Sequence, residues 1–266
     1  MTHGMTSSAR VAVACDPDSP ALHDAAAELA GRLGLQPARA SDHAMPGPAL
    51  LLVVTPGRLE LHDPGRETGG PLYADFVGGP TGFRRLSGPG RNQLIGRAVG
   101  LRWGTETVLD ATGGLCRDAF LLACLGCRVM AVERSPILCA MVHDGVARAR
   151  RHDDKRLNAV LQRLAVINAD ARAFIADLCE NDRPDVVYLD PMYPPTKGTA
   201  LSRKEMRMLR MLVGDDADAC ELLDVARQLA PGRVVVKRRR HAPPLAPDPD
   251  IAFKGRTVRY DVYLPK

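Results

Sequence analysis

One short run of the chain has residue types suited to a defined reaction: Asp190-Pro191-Met192-Tyr193-Pro194-Pro195. The Asp190 carboxylate and the Pro191 carbonyl are neighbouring acceptors, matched to the two hydrogens of one NH2 group. Holding both hydrogens turns the nitrogen lone pair toward an electrophile and stabilises the positive charge that develops on that nitrogen. Tyr193 adds a ring on which a flat base can stack, and the prolines stiffen the turn. The favoured chemistry is in-line transfer of a methyl group from a sulfonium to an amine, where placement counts for more than a strong base. Asp190, Pro191 and Tyr193 are the candidate catalytic residues. The competing reading is a proline-rich turn that happens to contain an acid.

A nucleoside-type methyl donor needs its own contacts, and upstream residues supply candidates. The segment Asp110-Ala-Thr-Gly113-Gly114-Leu-Cys116-Arg117-Asp118 joins a predicted strand to a predicted helix. Paired glycines let the backbone turn tightly and approach a ligand, and helix N-terminal amides can meet its carboxylate. The spacing is not the G-x-G-x-x-G of a pyrophosphate cradle. Arg117 can pair with an amino-acid carboxylate and Asp118 can accept from its ammonium; an acid in a first helical turn also suits the helix dipole. Glu133 ends the next predicted strand, where an acid accepts from ribose hydroxyls. Asp170 follows the third, where it can meet an adenine amine or cap a helix. With Asp110 and Gly113, these residues occupy the ends of three successive strands, and Asp190 ends the fourth.

The elements that must position them are predicted from residue 107 onward. Strands at 107–110, 128–132, 164–168, 185–189 and 233–237 alternate with helices, a βαβ rhythm that implies a mostly parallel sheet covered on both faces. In such a sheet, ligands bind at the carboxyl ends of the strands. The chain closes differently. After a Pro-rich loop, Val258, Tyr260, Val262 and Leu264 alternate with a period of two. No helix intervenes, so this segment reads as one antiparallel strand at the end of the sheet, an arrangement that resembles the seven-stranded methyltransferase sheet. Upstream, Val11–Cys15 reads as a strand, Pro20–Leu35 as a helix ended near Gly34, and Ala49–Thr55 with Arg58–His62 as a hairpin. Gly69–Gly90 is rich in Gly and Pro, and Asn92–Val99 reads as a helix. The division expected is a small N-terminal α/β subdomain over 1–80, a connection over 81–106 and the main domain over 107–266.

Composition narrows the partners. The net charge of +5 is uneven: residues 1–75 carry 5 Arg and no Lys against 9 Asp and Glu, so the rest of the chain is strongly basic. A basic catalytic portion suits a polyanion. Arg203, Lys204 and Arg207 in one cluster, and Lys237, Arg238 and Arg239 in another, are the candidate phosphate contacts. Arg84, Arg85 and Arg91 lie in or beside the Gly-rich boundary. Each cluster also reads as a solvated face. The 7 cysteines are scattered, and the one CxxC, Cys124 to Cys127, has no second pair to complete a zinc site; no metal is expected, and the thiols read as buried. No apolar run approaches the ~20 residues that span a bilayer, nor does the N-terminus resemble a signal peptide, so a cytoplasmic location is expected.

These motifs together resemble the bacterial small-subunit ribosomal RNA (guanine-N2)-methyltransferase J family. The resemblance rests on Asp75-Phe-Val-Gly-Gly79, Asp110 to Phe120, Val132-Glu-Arg-Ser-Pro136, Val187 to Pro194, Lys204-Glu-Met-Arg207 and Val234-Val-Val-Lys-Arg238. It covers nearly the whole chain, more weakly before residue 70. It implies an α/β fold, a Rossmann-like seven-stranded class I S-adenosylmethionine-dependent methyltransferase domain preceded by the small subdomain. It also implies methyl transfer from S-adenosyl-L-methionine, leaving S-adenosyl-L-homocysteine, to a guanine N2 amine near the 3′ end of 16S ribosomal RNA, free or within the assembled 30S subunit. By motif position the cofactor contacts fall on Arg117, Asp118, Glu133, Arg134, Asp170, Ala171 and Asp190. Two departures stand out. Cys116 replaces the second glycine of the family's Gly-Leu-Gly-Arg-Asp, where its side chain could narrow the methionine pocket, and Pro195 replaces a frequent His. Rival readings are methyl transfer to adenine N6 or a glutamine amide, a nicotinamide-dependent oxidoreductase, and a catalytically silent RNA-binding protein.

Overall fold

A computed structural model of the chain describes residues 11–38, 49–65, 70–79, 82, 90, 92–192, 200–229 and 232–265, with the backbone alone over 200–203. The chain divides into two units, Met1–Ala74 with Met192–Asp215, and Asp75–Pro191 with Asp216–Lys266.

The first unit contains a four-stranded sheet with the order β2-β1-β3-β4, formed by β1 (Val11–Cys15), β2 (Gln36–Pro37), β3 (Leu50–Val54) and β4 (Leu59–His62). β3 is parallel to β1 and antiparallel to β4. Helix α1 (Pro20–Leu33) starts with proline in its first turn and stops at Gly34, whose φ of 65° is left-handed, a conformation glycine adopts without a Cβ penalty. Ala12, Ala14, Leu51 and Val53 form one buried layer, the period of two expected where a strand covers a core. The helix later in the chain (Ala200–Val213) packs against β3 within this unit. Its Met208, Leu209 and Leu212 are buried, at the spacing of one helical face.

That packing redraws the division expected from the sequence. Residues 192–215 leave the segment 107–266 because their apolar helical face is covered in the first unit, and Asp75–Glu106 groups with the second. The Asp75 motif shows why. Asp75 Oδ1 accepts from the Val77 and Gly78 N–H groups, both at 3.0 Å, and the turn sets Phe76 against Phe120 with ring centroids 5.0 Å apart.

The second unit carries seven strands, β5 (Thr107–Asp110), β6 (Arg128–Glu133), β7 (Leu164–Asn168), β8 (Val186–Leu189), β9 (Arg233–Arg239), β10 (Ile251–Lys254) and β11 (Val258–Tyr263). Their order is β10-β11-β9-β8-β5-β6-β7. β5 to β9 are parallel, and β11 runs antiparallel to both neighbours. The expected final strand is therefore present but does not close the edge: β10 lies outside it. β10 was hidden in the sequence because its four residues follow the Pro-rich stretch and only half of its side chains are partly buried. Helices α2 (Leu94–Ala98), α3 (Arg117–Cys124), α4 (Pro136–Arg150), α5 (Lys155–Leu161), α6 (Ala171–Ala176) and α8 (Ala219–Gln228) complete this unit, and the helix over Ala200–Val213 is α7 in chain order. Leu109, Val187, Leu189, Val234 and Val236 of the central strands pack with Leu222, Leu223 and Ala226 of α8. Burial of such side chains is worth roughly 1.5–3 kcal/mol each. Among the described residues no helix is long and apolar enough to cross a membrane.

The chain climbs from β5 through β6 to β7 on one side, then jumps back across to β8 and β9 on the other. β5 and β8 thus flank the switch point, where an open α/β sheet offers a crevice at its carboxyl ends. Asp185 staples the opposite ends of these two strands. Its Oδ2 accepts from the Glu106 N–H, the Thr107 N–H and the Thr107 hydroxyl at 2.9, 2.8 and 2.9 Å. Burial opposes its ionisation, but the donors outweigh burial and hold the carboxyl below the usual range. Because the folded value is depressed, the contribution is present at neutral pH and is lost as pH falls through it. Asp185→Ala is expected to lower stability by about 1–2 kcal/mol at pH 7, with the gap to the parent closing below about pH 4. Urea unfolding at both pH values checks this; an equal gap at both contradicts it.

Candidate active site

The loop after β5 is shaped by contacts a side chain would obstruct. The Gly113 N–H donates to the Val132 carbonyl at 2.9 Å, and a Cβ on Gly113 would lie 3.1 Å from that oxygen and 3.4 Å from Glu133 Cβ. The Gly114 N–H donates to Glu133 Oε2 at 2.7 Å, and the Ser135 N–H donates to Oε1 at 2.7 Å. Glu133 is thus buried at the end of β6, bracing the loop from beneath. Burial pushes its carboxyl up, and the two N–H bonds oppose that shift.

Cys116 has φ 55° and ψ 29° at the position just before α3. That left-handed geometry explains why the resembling family places glycine here, since a Cβ costs roughly 1–2 kcal/mol in this region. The expectation that the side chain narrows a pocket is not met: Cys116 is wholly buried, so it occupies the core and not a solvent-accessible crevice. Burial pushes its thiol up, which leaves it inert. The other cysteines divide, with Cys15, Cys127 and Cys139 buried, Cys124 partly so, and Cys179 and Cys220 exposed, so the expected burial of all the thiols fails for the last two.

At the centre of the ligand edge, three charged residues meet. Lys237 Nζ donates to Asp118 Oδ2 and to Asp190 Oδ2, each at 2.7 Å. The Tyr188 hydroxyl donates to the same Asp118 oxygen at 2.6 Å. Topology brings them together. Asp118 lies in the first turn of α3 after β5, and Asp190 follows β8. In the parallel register that pairs Leu189 with Val236, Lys237 falls level with Asp190. Burial pulls the lysine down, but the two carboxylates outweigh it and its value rises. Asp190 is pushed up by burial and by Asp118, against the pull of Lys237. Thr112 ties the two strand ends to each other: its hydroxyl accepts from the Asp190 N–H at 2.6 Å and bonds Asp110 Oδ1 at 3.3 Å. Asp110 is buried and its carboxyl is pushed up to about 7, by burial first, against the Thr112 bonds.

The remaining expected residues divide. Asp170 caps α6, accepting from the Arg172 and Ala173 N–H groups at 2.9 and 3.3 Å. Its pairing with the Arg172 guanidinium holds its carboxyl low. Ala171 opens that helix. Arg134 is paired with Asp216 and, at 3.2 Å, with Asp218, and Arg172 adds contacts to Asp218 and Glu221 at 3.4 and 2.8 Å. Arg117 is exposed beside Asp118 and Pro191 is buried. Tyr193, Arg84, Arg85, Arg91 and the Arg203 side chain lie outside the described residues.

Two of the expected phosphate contacts are corrected. Lys237 is held between Asp118 and Asp190. Arg238 is 7% exposed and its guanidinium donates to the Pro243 carbonyl at 2.9 and 2.5 Å. Both follow from strand geometry, because alternate residues of β9 turn to opposite faces of a covered sheet. Lys204 donates to the Gly70 carbonyl at 3.1 Å and Arg207 pairs with Asp63. Arg239 is partly exposed and Arg240 exposed at the end of β9. Sequence reasoning missed Thr112 and Tyr188, and misread Lys237. The signals were present: Tyr188 shares the face of Asp190 two residues on, and Lys237 is the first cation after the apolar run Val234–Val236.

A family model for S-adenosylmethionine (SAM)-dependent methyltransferases matches residues 38–265. The ribosomal RNA small subunit methyltransferase J of Nitrosococcus oceani is 46% identical over 249 residues, spanning 93% of this chain and 96% of the relative. The protein of the same name from Coxiella burnetii is 48% identical, spanning 82% and 84%. The crystal structure of a SAM-dependent methyltransferase from Neisseria gonorrhoeae superposes with a TM-score of 0.70 at 31% identity, covering 96% of both chains.

The Thr112 bridge is testable without any ligand. Thr112→Val keeps the shape but leaves the Asp190 N–H and Asp110 without their hydroxyl partner. We expect a loss of about 1–3 kcal/mol, the usual cost of an orphaned buried polar group. A urea midpoint unchanged from the parent would show that the bridge carries no energy.

Proposed function

The chain belongs to the ribosomal RNA small subunit methyltransferase J family of S-adenosylmethionine-dependent enzymes, and on that premise we propose that it methylates the exocyclic N2 amine of a guanosine in 16S ribosomal RNA. The observation that carries this reading is the setting of Asp190. Its backbone N–H is fixed on Thr112 and its Oδ2 on Lys237, so Oδ1 and the Pro191 carbonyl can take the two hydrogens of an amine at the switch point. The relatives' names supply the RNA class; the guanine N2 atom comes from the motif resemblance.

The residues at the ligand edge suit the cofactor. The Gly113–Gly114 turn lies close against the end of β6, where a Cβ on Gly113 would crowd the Val132 carbonyl. Asp118, with Arg117 beside it, is the proposed partner of the methionyl ammonium and carboxylate. Glu133 is the proposed acceptor for the ribose hydroxyls, and Asp170 and Ala171 border the proposed adenine site. Asp110 and Gly113 shape the loop. Arg134, held by Asp216 and Asp218, is proposed to steady the β6 end. When bound, the cofactor supplies an electrophilic methyl group on a sulfonium.

Asp190 and Pro191 orient the amine so that its lone pair points along the line of transfer. As the N–C bond forms and the S–C bond breaks, positive charge passes to the nitrogen, where the Asp190 carboxylate stabilises it. The methylated amine then loses one proton to solvent. Tyr193 is the proposed stacking ring. Phosphate contacts are proposed for Arg203 and Lys204 on α7, and for Arg239 and Arg240 at the end of β9; Arg207 is engaged with Asp63. The proposed compartment is the cytoplasm, with free 16S RNA or the assembled 30S subunit as the acceptor.

The test offers the purified protein methyl-labelled cofactor with free small-subunit RNA, assembled 30S particles, naked DNA or a release-factor protein. Label is expected in the RNA, and nuclease digestion should return it as N2-methylguanosine. Label in adenine or in a glutamine amide would overturn the proposed acceptor. Asp190→Ala should lower the rate at least about 100-fold, the scale on which loss of a positioned polar group acts at a developing charge, while circular dichroism stays unchanged. Near-normal turnover in that variant would remove Asp190 from its assigned role.

A further inference from the structure

We propose that Lys237 is a positioning residue for methyl transfer, its ammonium clamping the amine-accepting carboxylate of Asp190 to the cofactor-side carboxylate of Asp118. This rests on the reading of Asp190 as the amine acceptor.

The geometry is that of a two-sided clamp. Both acceptor oxygens lie 2.7 Å from Nζ, so the two carboxylates stand no further apart than twice that distance. Side-chain exposures are 23% for Lys237, 14% for Asp118 and 36% for Asp190, so solvent screens the three charges only in part. The groups facing Asp190 are predominantly acidic: Asp118 from α3, Asp110 from β5 and Asp216 ahead of α8. Tyr188 of β8 touches Asp118. Lys237 is the cation set among them.

Remove the ammonium, and the two carboxylates face each other without the donor they share. Like charges at that range cannot both stay ionised at low cost, and one keeps a proton into a higher pH range. A protonated Asp190 no longer stabilises positive charge on the substrate nitrogen. Its carboxyl would also rotate, because Oδ2 loses its fixed donor. With Lys237 present, two carboxylates and one ammonium leave one net negative charge beside the transfer point. That charge matches the positive charge that passes from sulfur to nitrogen during the reaction. The clamp also joins the two halves of the site mechanically: one side chain sets the spacing between the residue proposed for the methionyl ammonium and the residue proposed for the amine.

Lys237→Met removes the charge at nearly constant volume, and Lys237→Arg retains it. With 13C-labelled aspartate carboxyls, and Asp190→Asn to assign the resonance, the Asp190 titration can be followed by NMR without RNA or cofactor. In Lys237→Met the Asp190 midpoint is expected to rise by about one unit or more, and in Lys237→Arg to stay near the parent value. In turnover assays the acid limb of kcat should move by the same amount. That gives about a tenfold loss at pH values below the parent midpoint, which fades as pH rises past the variant's midpoint, while the KM for RNA is unchanged. An unmoved midpoint in folded Lys237→Met overturns the clamp, as does a uniform loss of kcat across pH. If Lys237→Met fails to fold, Lys237→Gln, which donates a neutral hydrogen bond, is read in the same way. The two readings separate cleanly. A shifted midpoint in a protein that methylates no RNA keeps the clamp and rejects the substrate. An unmoved midpoint in an active enzyme does the reverse.

Discussion

Bringing an ammonium between two carboxylates requires three strand ends to arrive within hydrogen-bonding distance of one nitrogen. Asp118 comes from the first turn of α3 after β5, Asp190 from the end of β8 and Lys237 from β9. No two of these are near in sequence. The order β9-β8-β5 makes the arrangement possible, and the parallel register that sets Val236 beside Leu189 places Lys237 level with Asp190. The apolar layers of Val187, Leu189, Val234 and Val236 against α8 hold that register. A slip by one residue would turn Lys237 to the opposite face of the sheet. The charged cluster at the ligand edge is therefore only as well defined as the core beneath it.

Around that cluster the backbone is held by side chains that accept from it. Glu133 takes two loop N–H groups, Thr112 takes the Asp190 N–H, and Asp170 caps α6. Each carboxylate or hydroxyl satisfies a donor that would otherwise be orphaned at a strand end. The same groups carry the polar character that a nucleoside cofactor calls for. Rigidity and recognition thus share one set of atoms, the pattern expected where a site must be held to within a fraction of an ångström. Cys116 fits the same logic in reverse. It occupies a left-handed position and is buried, so the loop keeps its path despite the extra atoms.

Charge needed the largest revision. A basic run such as Lys237-Arg238-Arg239-Arg240 reads along the sequence as a phosphate-binding patch. Folded into a strand, it splits. Lys237 serves the ligand edge, Arg238 bonds the Pro243 carbonyl, and of the four Arg240 alone is fully exposed. Arg134 and Arg207 are likewise drawn to nearby acids. Cationic residues on a strand alternate between faces, so a count of consecutive charges overstates what a polyanion would meet.

What the sequence determined by itself was local or periodic. The alternation of strand and helix, the tight glycine turn after β5, the acids at the ends of β5, β6 and β8, and the Asp190-Pro191 pair were legible because each depends on a few adjacent residues. The strands β1, β3 and β4 and the Gly34 stop of α1 were legible for the same reason, whereas the two-residue β2 was not. Tertiary structure alone decided the rest. β10 is too short and too exposed to announce itself, and it pairs with β11 only because a hairpin brings them together. Helix α7 groups with the N-terminal sheet because its apolar face is buried there. Thr112, Tyr188 and Lys237 joined the site through contacts spanning 78, 70 and 47 to 119 residues. Such contacts leave almost no trace in local pattern, since their energy comes from register and burial that exist only once the sheet has formed.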